Sequence, residues 1–559
     1  MTEVIQHLHT YFLFPFSIDK EAVSEGHAPI WCKHVRWIHG LEEWLRLPPN
    51  EAGAEFVGAV GRWQRSPHCK FHLDSAAYQE MVFFHPYVRR VFFDTAESNG
   101  SNSDTQDSLL QFYRIDLSGK KLWFDAEDNK ERSARLQVTD LRLNLYANGI
   151  GILSIGVEGF ALPADKVLWI NEMMRKIYPS SRRQLREGRA PRRLALSLER
   201  EDGTETALVE ERFERGEMVE FHPPIARTIQ ALLYFADYDK QEYEPVLDER
   251  MVVYTYAAVD PGSVPENYAE SEQYRVLLSR LLYVDRAGSG YRYDREFLNQ
   301  VMPHQLYRRW AHQGTWYGFT TYSNITCCIG RFDCDEHQLR EGFLIHRMFC
   351  TRYYIMALVT LFYRATLLDF AERTALVSRR LYRDQGARIS TENVRLTSEL
   401  RSEFLHFSNY WYFDELANKD EENEHFLMQI REYRIDVMKH EVEQEVDKLS
   451  ESLHSYFQFR NTEAVNRLAM LSLILGAGAV VTGYFGMNFG SAFARTLFEP
   501  TQKTQPVHWA AILFVTGFSA ATLTFGLYVV SSNWQDYRES LLPRWWLKRN
   551  EHSRSLRRD

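Results

Sequence analysis

Cysteine is scarce in this 559-residue chain, and that scarcity excludes a fold stapled by disulfides. The six are Cys32, Cys69, Cys327, Cys328, Cys334 and Cys350, and two of them are neighbours, which is poor geometry for a bridge framework. They read as reduced thiols facing a cytosolic compartment. Cys327, Cys328, Cys334 and His337 lie close together, but their spacing matches no standard zinc ribbon or finger, so buried structural cysteine is the reading. A secretory signal is also missing. The opening MTEVIQHLHTYFLFPFSIDK has no basic leader, long apolar stretch or small-residue cleavage site, and its FLFPF run reads as a buried strand.

Catalytic signatures are absent too. The chain has no GxxxxGK[ST] phosphate loop, no GxSxG elbow and no HExxH helix. Gly476-Ala477-Gly478 sits inside an apolar run, where it reads as helix packing and not as a dinucleotide turn. Paired carboxylates such as Asp125 and Asp128 arise by chance among 75 acidic residues. No enzyme is expected, and no cofactor. Positive charge is not in excess either: the net charge of -9 argues against a nucleic-acid partner.

What is present is a chain that folds, 45% hydrophobic and 25% charged, with a mean hydropathy of -0.40 that keeps any membrane portion small. Its length predicts two or three compact units. Up to about residue 350 the signals mix strands and helices. Leu136 to Phe160 alternates around Asn148-Gly149, a hairpin signal. Leu194–Leu198 and Met251–Tyr256 read as strands, Asp165–Tyr178 as a helix, and 99–108 as a polar loop. The sum is an α/β or α+β soluble domain. Tyr353 to Phe362 is apolar but too short to span a bilayer, and reads as a buried helix.

Further on, Leu427, Ile430, Val437, Val442, Val446, Leu449, Leu453 and Tyr456 recur at helical spacing, and no proline interrupts from Phe426 to Glu499. The pattern predicts one long amphipathic helix, with Glu441, Glu443, Glu445 and Asp447 on its acidic side, running into the apolar segment that follows. That segment, Leu468 to Ala494, carries no charge, and neither does Trp509 to Gln535. Each exceeds the ~20 residues that cross ~30 Å of hydrocarbon. Arg460 and Arg467 precede the first, and Arg538, Arg544, Lys548, Arg549, Arg554, Arg557 and Arg558 follow the second. The loop between holds only Arg495 and Lys503. Both termini are therefore expected in the cytoplasm, with the loop outside and Trp534, Trp545 and Trp546 near the inner interface.

The first span closes in Tyr484-Phe485-Gly486-Met487-Asn488-Phe489. This resembles the Gly-Met-Asn signature of CorA-type magnesium and divalent-cation transporters, which ends the first of two C-terminal transmembrane helices. Pro543-Arg544-Trp545-Trp546-Leu547 also resembles the family's basic C-termini. The likeness covers roughly residues 425 to 550; the larger N-terminal portion shows no matching motif. It implies a homopentamer in the cell (inner) membrane, with five first spans lining a pore for hydrated divalent cations, Mg2+ first. Carried position by position from Asn488, the pore face is Gly483, Ala479, Gly476, Leu468, Val465 and Thr462. Ser472 joins the small residues of that side. Leu468 and Val465 would form an apolar constriction. Gly486, Met487 and Asn488 would form the selectivity filter, with metal held through its waters by Asn488 amides and Gly486 carbonyls. Family members are also held shut by bound cytoplasmic magnesium, a regulatory role open here to Asp436, Glu443 and Asp447.

The expected divisions are 1–350 for the cytoplasmic domain and 351–466 for helices and stalk. The first span covers 467–488, the external loop 489–508, the second span 509–532 and the basic tail 533–559. After Asn488 the loop lacks the family's usual Met-Pro-Glu-Leu element and has a single acid, Glu499. That departure keeps a zinc, cobalt or nickel transporter of the same superfamily open. A membrane-anchored oligomeric sensor without flux is the alternative from another class, and a tethered enzyme a further one.

Overall fold

A computed structural model describes residues 3–18, 45–66, 81–93, 110–130, 132–178, 182–200, 202–213, 223–247, 250–286, 292–330, 344–383 and 389–498, with scattered helical positions between 510 and 528. Among these, thirteen strands join in one sheet. In chain order they are β1 (Val4–Ile18), β2 (Gln64–Arg65), β3 (Leu110–Arg114), β4 (Lys121–Glu127), β5 (Ser133–Tyr146), β6 (Ile150–Pro163) and β7 (Arg193–Glu199). They continue with β8 (Glu205–Arg212), β9 (Tyr243–Pro245), β10 (Val252–Val259), β11 (Leu306–Tyr307), β12 (Thr315–Thr320) and β13 (Ser323–Ile329). The main path runs β11-β12-β13-β10-β1-β6-β5-β4-β7-β8. Of the pairings described, β10 with β13 is parallel and the others are antiparallel, so the α+β form of the expected soluble fold is the one observed.

Local chemistry explains the central strands. Asn148-Gly149 turns β5 into β6, and Gly149 takes a positive φ of 95° that a side chain would resist. The Asn148 amide then donates to Thr366 Oγ1 at 2.9 Å, tying the hairpin tip to a later helix. β1 enters the sheet between β6 and β10 and is buried along most of its length, including the predicted FLFPF run. Its alternation divides two layers. Leu8, Phe12, Phe14 and Phe16 join the main apolar core. On the same side, Thr10 Oγ1 reaches Asn171 at 3.2 Å on helix α1 (Ala164–Met174), which lies in the segment predicted helical. Helix α2 (Glu272–Tyr283), started by the Ser271 hydroxyl accepting from Tyr274 N, supplies Leu277, Leu278, Leu281 and Leu282 to that core.

The opposite side of β1 presents His7, His9 and Tyr11 to α3 (Leu344–Cys350) and α4 (Arg352–Arg383). The apolar stretch from Ile345 to Arg383 is long and uncharged enough to cross a membrane by composition alone. Yet 72% of its apolar window is buried inside the protein. Tyr354 of α4 donates to Ser154 of β6 at 2.7 Å, and Phe362 stacks on Tyr146 of β5. The segment is packed in the core, as expected for Tyr353–Phe362 within it. Helix α5 (Thr391–His406), capped by Ser390, and α6 (Asp420–Glu432) complete this layer. A buried ion pair between Arg352 and Glu422 joins α4 to α6. Thr360 Oγ1 donates to Gln429 Oε1 at 2.9 Å nearby.

The amphipathic pattern predicts a single helix from Phe426 onward, and here the chain differs. It breaks at Tyr433-Arg434, where Arg434 adopts φ +57°. The buried Tyr433 donates its hydroxyl to Asn324 Oδ1 at 3.1 Å and lies under the Arg364 guanidinium, interactions that the turn serves. Helix α7 then runs from Ile435 to Phe498, 64 residues, or about 96 Å at 1.5 Å each. By contacts the chain divides into Met1–Asp447 and Lys448–Asp559. The helices 352–432 thus belong with the sheet in the first unit.

Candidate ion pathway and a buried histidine cluster

Helix α7 carries the residues the sequence assigns to a pore. Thr462, Val465, Leu468, Ser472, Gly476, Ala479 and Gly483 all lie on it and all are exposed. They recur in steps of three and four, which at about 100° per residue keeps the seven within an arc of about 120°. Val465 is 56% exposed and Leu468 53%, an apolar surface that water does not favour. Gly476 and Gly483 have open space where a side chain would start, so another backbone can approach there. The Thr462 hydroxyl donates back to Gln458 O at 2.8 Å within the helix.

The helix does not end at Asn488, where the sequence analysis places the outer end of the span, but continues to Phe498. Nothing between them breaks it: the next proline is Pro500. Along an uninterrupted helix Gly486 and Met487 stay within the arc of the seven, whereas position 488 falls about 140° from its middle. The rest of the external loop and the tail fall outside the described residues, as do the second span's remaining positions. Described positions of that second segment, Leu513 and Phe514 among them, are 70% and 65% exposed.

The three acids offered for regulation lie near the start of α7 and are exposed. Asp436 accepts from the Tyr412 hydroxyl at 2.7 Å, and Asp447 lies 3.8 Å from Arg401. The paired carboxylates of the sheet have structural partners. Asp125 binds Arg135 at 2.6 Å and Ser197 at 2.7 Å, and Asp128 binds Arg132 at 2.8 Å. Cys327 and Cys328 are buried on β13 beside the Tyr274 and Tyr256 hydroxyls, as the structural-cysteine reading expects. Cys334 and His337 lie outside the described residues.

One cluster escaped the sequence reading. Alternation puts His7 and His9 of β1 on one face, and the β1/β6 register sets Glu158 directly opposite His9. Above them, His346 and Cys350 stand one turn apart on α3. His9 Nδ1 lies 2.9 Å from His346 Nε2 and 3.0 Å from Glu158 Oε1. Cys350 Sγ is 3.6 Å from each of those two imidazole nitrogens. His346 Nε2 is 3.8 Å from Glu158 Oε1, and His7 Nε2 is 3.6 Å from the same oxygen. Burial, with its neighbouring imidazoles, holds His346 down to about 3, and burial also lowers His9. Burial works to raise Glu158, but the facing His7 and His9 imidazoles hold its carboxyl below the usual range. Burial pushes the Cys350 thiol up to about 12. Two neutral imidazoles, a thiol and a carboxylate thus meet in one place. The signals were an H-x-H strand and an H-x3-C helix, separated by more than three hundred residues.

The architecture defines a class: a mixed sheet-and-helix domain whose chain passes into a long helix that carries the uncharged apolar run 468–494. Residues 367–528 match the family model described as CorA-like Mg2+ transporter protein. That stretch begins within α4 and takes in α5, α6 and all of α7, so the similarity to this family lies in the helical part of the chain. The sheet lies outside the match. A structure titled the complete structure of the CorA magnesium transporter from Methanocaldococcus jannaschii is similar at 12% identity, over 50% of this chain and 91% of that one. The TM-score is 0.22. No curated protein matches.

Proposed function

We propose that this chain is the subunit of a divalent-cation channel or transporter, Mg2+ first, whose pore is lined by α7. The observation that carries it is one continuous helix, inside the CorA-like stretch, holding both the exposed small-residue stripe and Gly486-Met487-Asn488. One such helix and a second span cannot enclose water, so copies of the chain must assemble; the family likeness makes the assembly a homopentamer. The bare leucine and valine surface of α7 is then covered by lipid and by neighbouring subunits. Both termini stay in the cytoplasm, where the basic tail faces anionic lipid.

In this reading Thr462, Val465 and Leu468 stand at the cytoplasmic side, with Val465 and Leu468 as a constriction that closes by dewetting. Ser472, Gly476, Ala479 and Gly483 make a narrow wall farther out. At the mouth, rings of Gly486 carbonyls and Asn488 amides meet the hydrated ion. Magnesium gives up its water reluctantly, and neutral oxygens select it without trapping it. Position 488 reaches the axis only where the turn after Gly486 unwinds, because an intact helix carries it round the other side. Asp436, Glu443 and Asp447 are the regulatory ligands this reading offers. Transport is driven by the membrane potential, and no nucleotide is needed.

The mouth has a single acid, Glu499, between Arg495 and Lys503, which favours comparing ions directly. Purified protein in liposomes is assayed for uptake of Mg2+, Zn2+, Co2+ and Ni2+, with Asn488→Ala beside it. The proposal expects Mg2+ uptake in the parent and its loss or loss of ion preference in the variant. Undiminished, equally selective uptake in Asn488→Ala removes the filter assignment.

A further inference from the structure

We propose that His9, Glu158, His346 and Cys350 form a site for a transition-metal dication of the Zn2+ class in the soluble domain, separate from the transport pathway. The first argument is geometric. A tetrahedral ion with bonds of about 2.0–2.1 Å to nitrogen and about 2.3 Å to sulfur sets its ligands about 3.3 Å apart for N–N and N–O and about 3.6 Å for N–S. The observed N–S separations are both 3.6 Å. The nitrogen–nitrogen and nitrogen–oxygen separations, 2.9, 3.0 and 3.8 Å, bracket the expected value. The ligand atoms of His9, His346 and Cys350 lie within 4.8 Å of one another, as do those of His7, Glu158 and His346.

The second argument is hydrogen-bond supply. His9 Nδ1 faces both Glu158 Oε1 and His346 Nε2, and a ring nitrogen that offers either one proton or one lone pair cannot bond both fully. His7 Nε2, buried and aimed at Glu158, has no hydrogen-bond partner of good geometry. Nitrogen, sulfur and oxygen lone pairs converge there, and a cation satisfies them together. The third argument is charge. On binding, the Cys350 S–H bond breaks, the sulfur keeps the electron pair and bonds the metal, and the proton leaves to water. Thiolate and carboxylate then neutralise a 2+ ion, so the buried site carries no net charge. The nearby Arg142 guanidinium, which reaches the Cys350 carbonyl at 3.5 Å, is already compensated by Asp140. Glu158 and His346 keep 22% and 20% of their side-chain surface open, a way in from solvent.

Mg2+ is disfavoured here, since it prefers six oxygen ligands. His7 does not ligate; it positions the Glu158 carboxylate. The site fastens α3 to β1 and β6. The test uses the full-length protein in detergent, stripped with chelator and reloaded with Zn2+ or Co2+. One bound metal per chain and a thiolate-to-cobalt charge-transfer band are expected. Cys350→Ser abolishes the band, His9→Asn lowers affinity strongly, and His7→Asn weakens it by about 10–100-fold, as outer-shell changes do. Asn488→Ala keeps both metal and band, which separates this site from the pore. A stripped, folded protein that takes up no Zn2+ overturns the proposal. So does a Cys350→Ser or His9→Asn variant that binds as tightly as the parent.

Discussion

The Arg352–Glu422 pair holds the layer from which α7 departs, and breaking it has a calculable consequence. Arg352 is 6% exposed and Glu422 2%, and the guanidinium also lies 3.9 Å from the Phe83 ring centre. Glu422→Ala leaves a buried positive charge without its carboxylate. Removing one partner of such a pair costs about 3–5 kcal/mol, more than a hundredfold in the local opening equilibrium. Hydrogen exchange reads this directly: amides of α6, and of α4 around Arg352, lose protection by more than a hundredfold. The double change Arg352→Met with Glu422→Leu removes both charges and keeps apolar volume, so protection returns to near the parent level. Protection in Glu422→Ala within threefold of the parent refutes the reasoning. A double variant as exposed as the single one refutes it too, because packing and not charge would then be responsible.

Two further outcomes follow from α7. One alanine inserted between Gln458 and Phe459 turns the stripe by about 100° against the stalk and abolishes flux. A seven-residue insertion leaves it only about 20° off and keeps flux; equal flux from both contradicts a stripe fixed on the pore axis. Leu468→Asn wets the constriction and raises leak conductance under closed conditions, and unchanged leak places the gate elsewhere.

Much of the fold was legible where local chemistry dominates. Asn148-Gly149 sets a hairpin whatever surrounds it, and FLFPF has no stable place except inside a sheet. The arginines around Tyr353–Phe362 marked a core helix, although α4 runs on to Arg383 because its later turns have an amphipathic face to bury. The helix break at Arg434 was hidden: no glycine or proline signals it, and its cause is a tyrosine reaching Asn324, more than a hundred residues away. The stripe proposed to line a pore was visible because it repeats along one helix. The histidine cluster was not, because it exists only once β1 and β6 are in register and α3 is laid across them.

The most direct measurement is cation uptake into proteoliposomes under an imposed, inside-negative potential. At 100 mV a dication gains about 4.6 kcal/mol on entering, enough for an accumulation of order 10³-fold. Uptake that rises steeply with the potential, without added nucleotide, is the result expected for an aqueous pathway lined by α7. Uptake indifferent to the potential, or no greater than in protein-free liposomes, contradicts it.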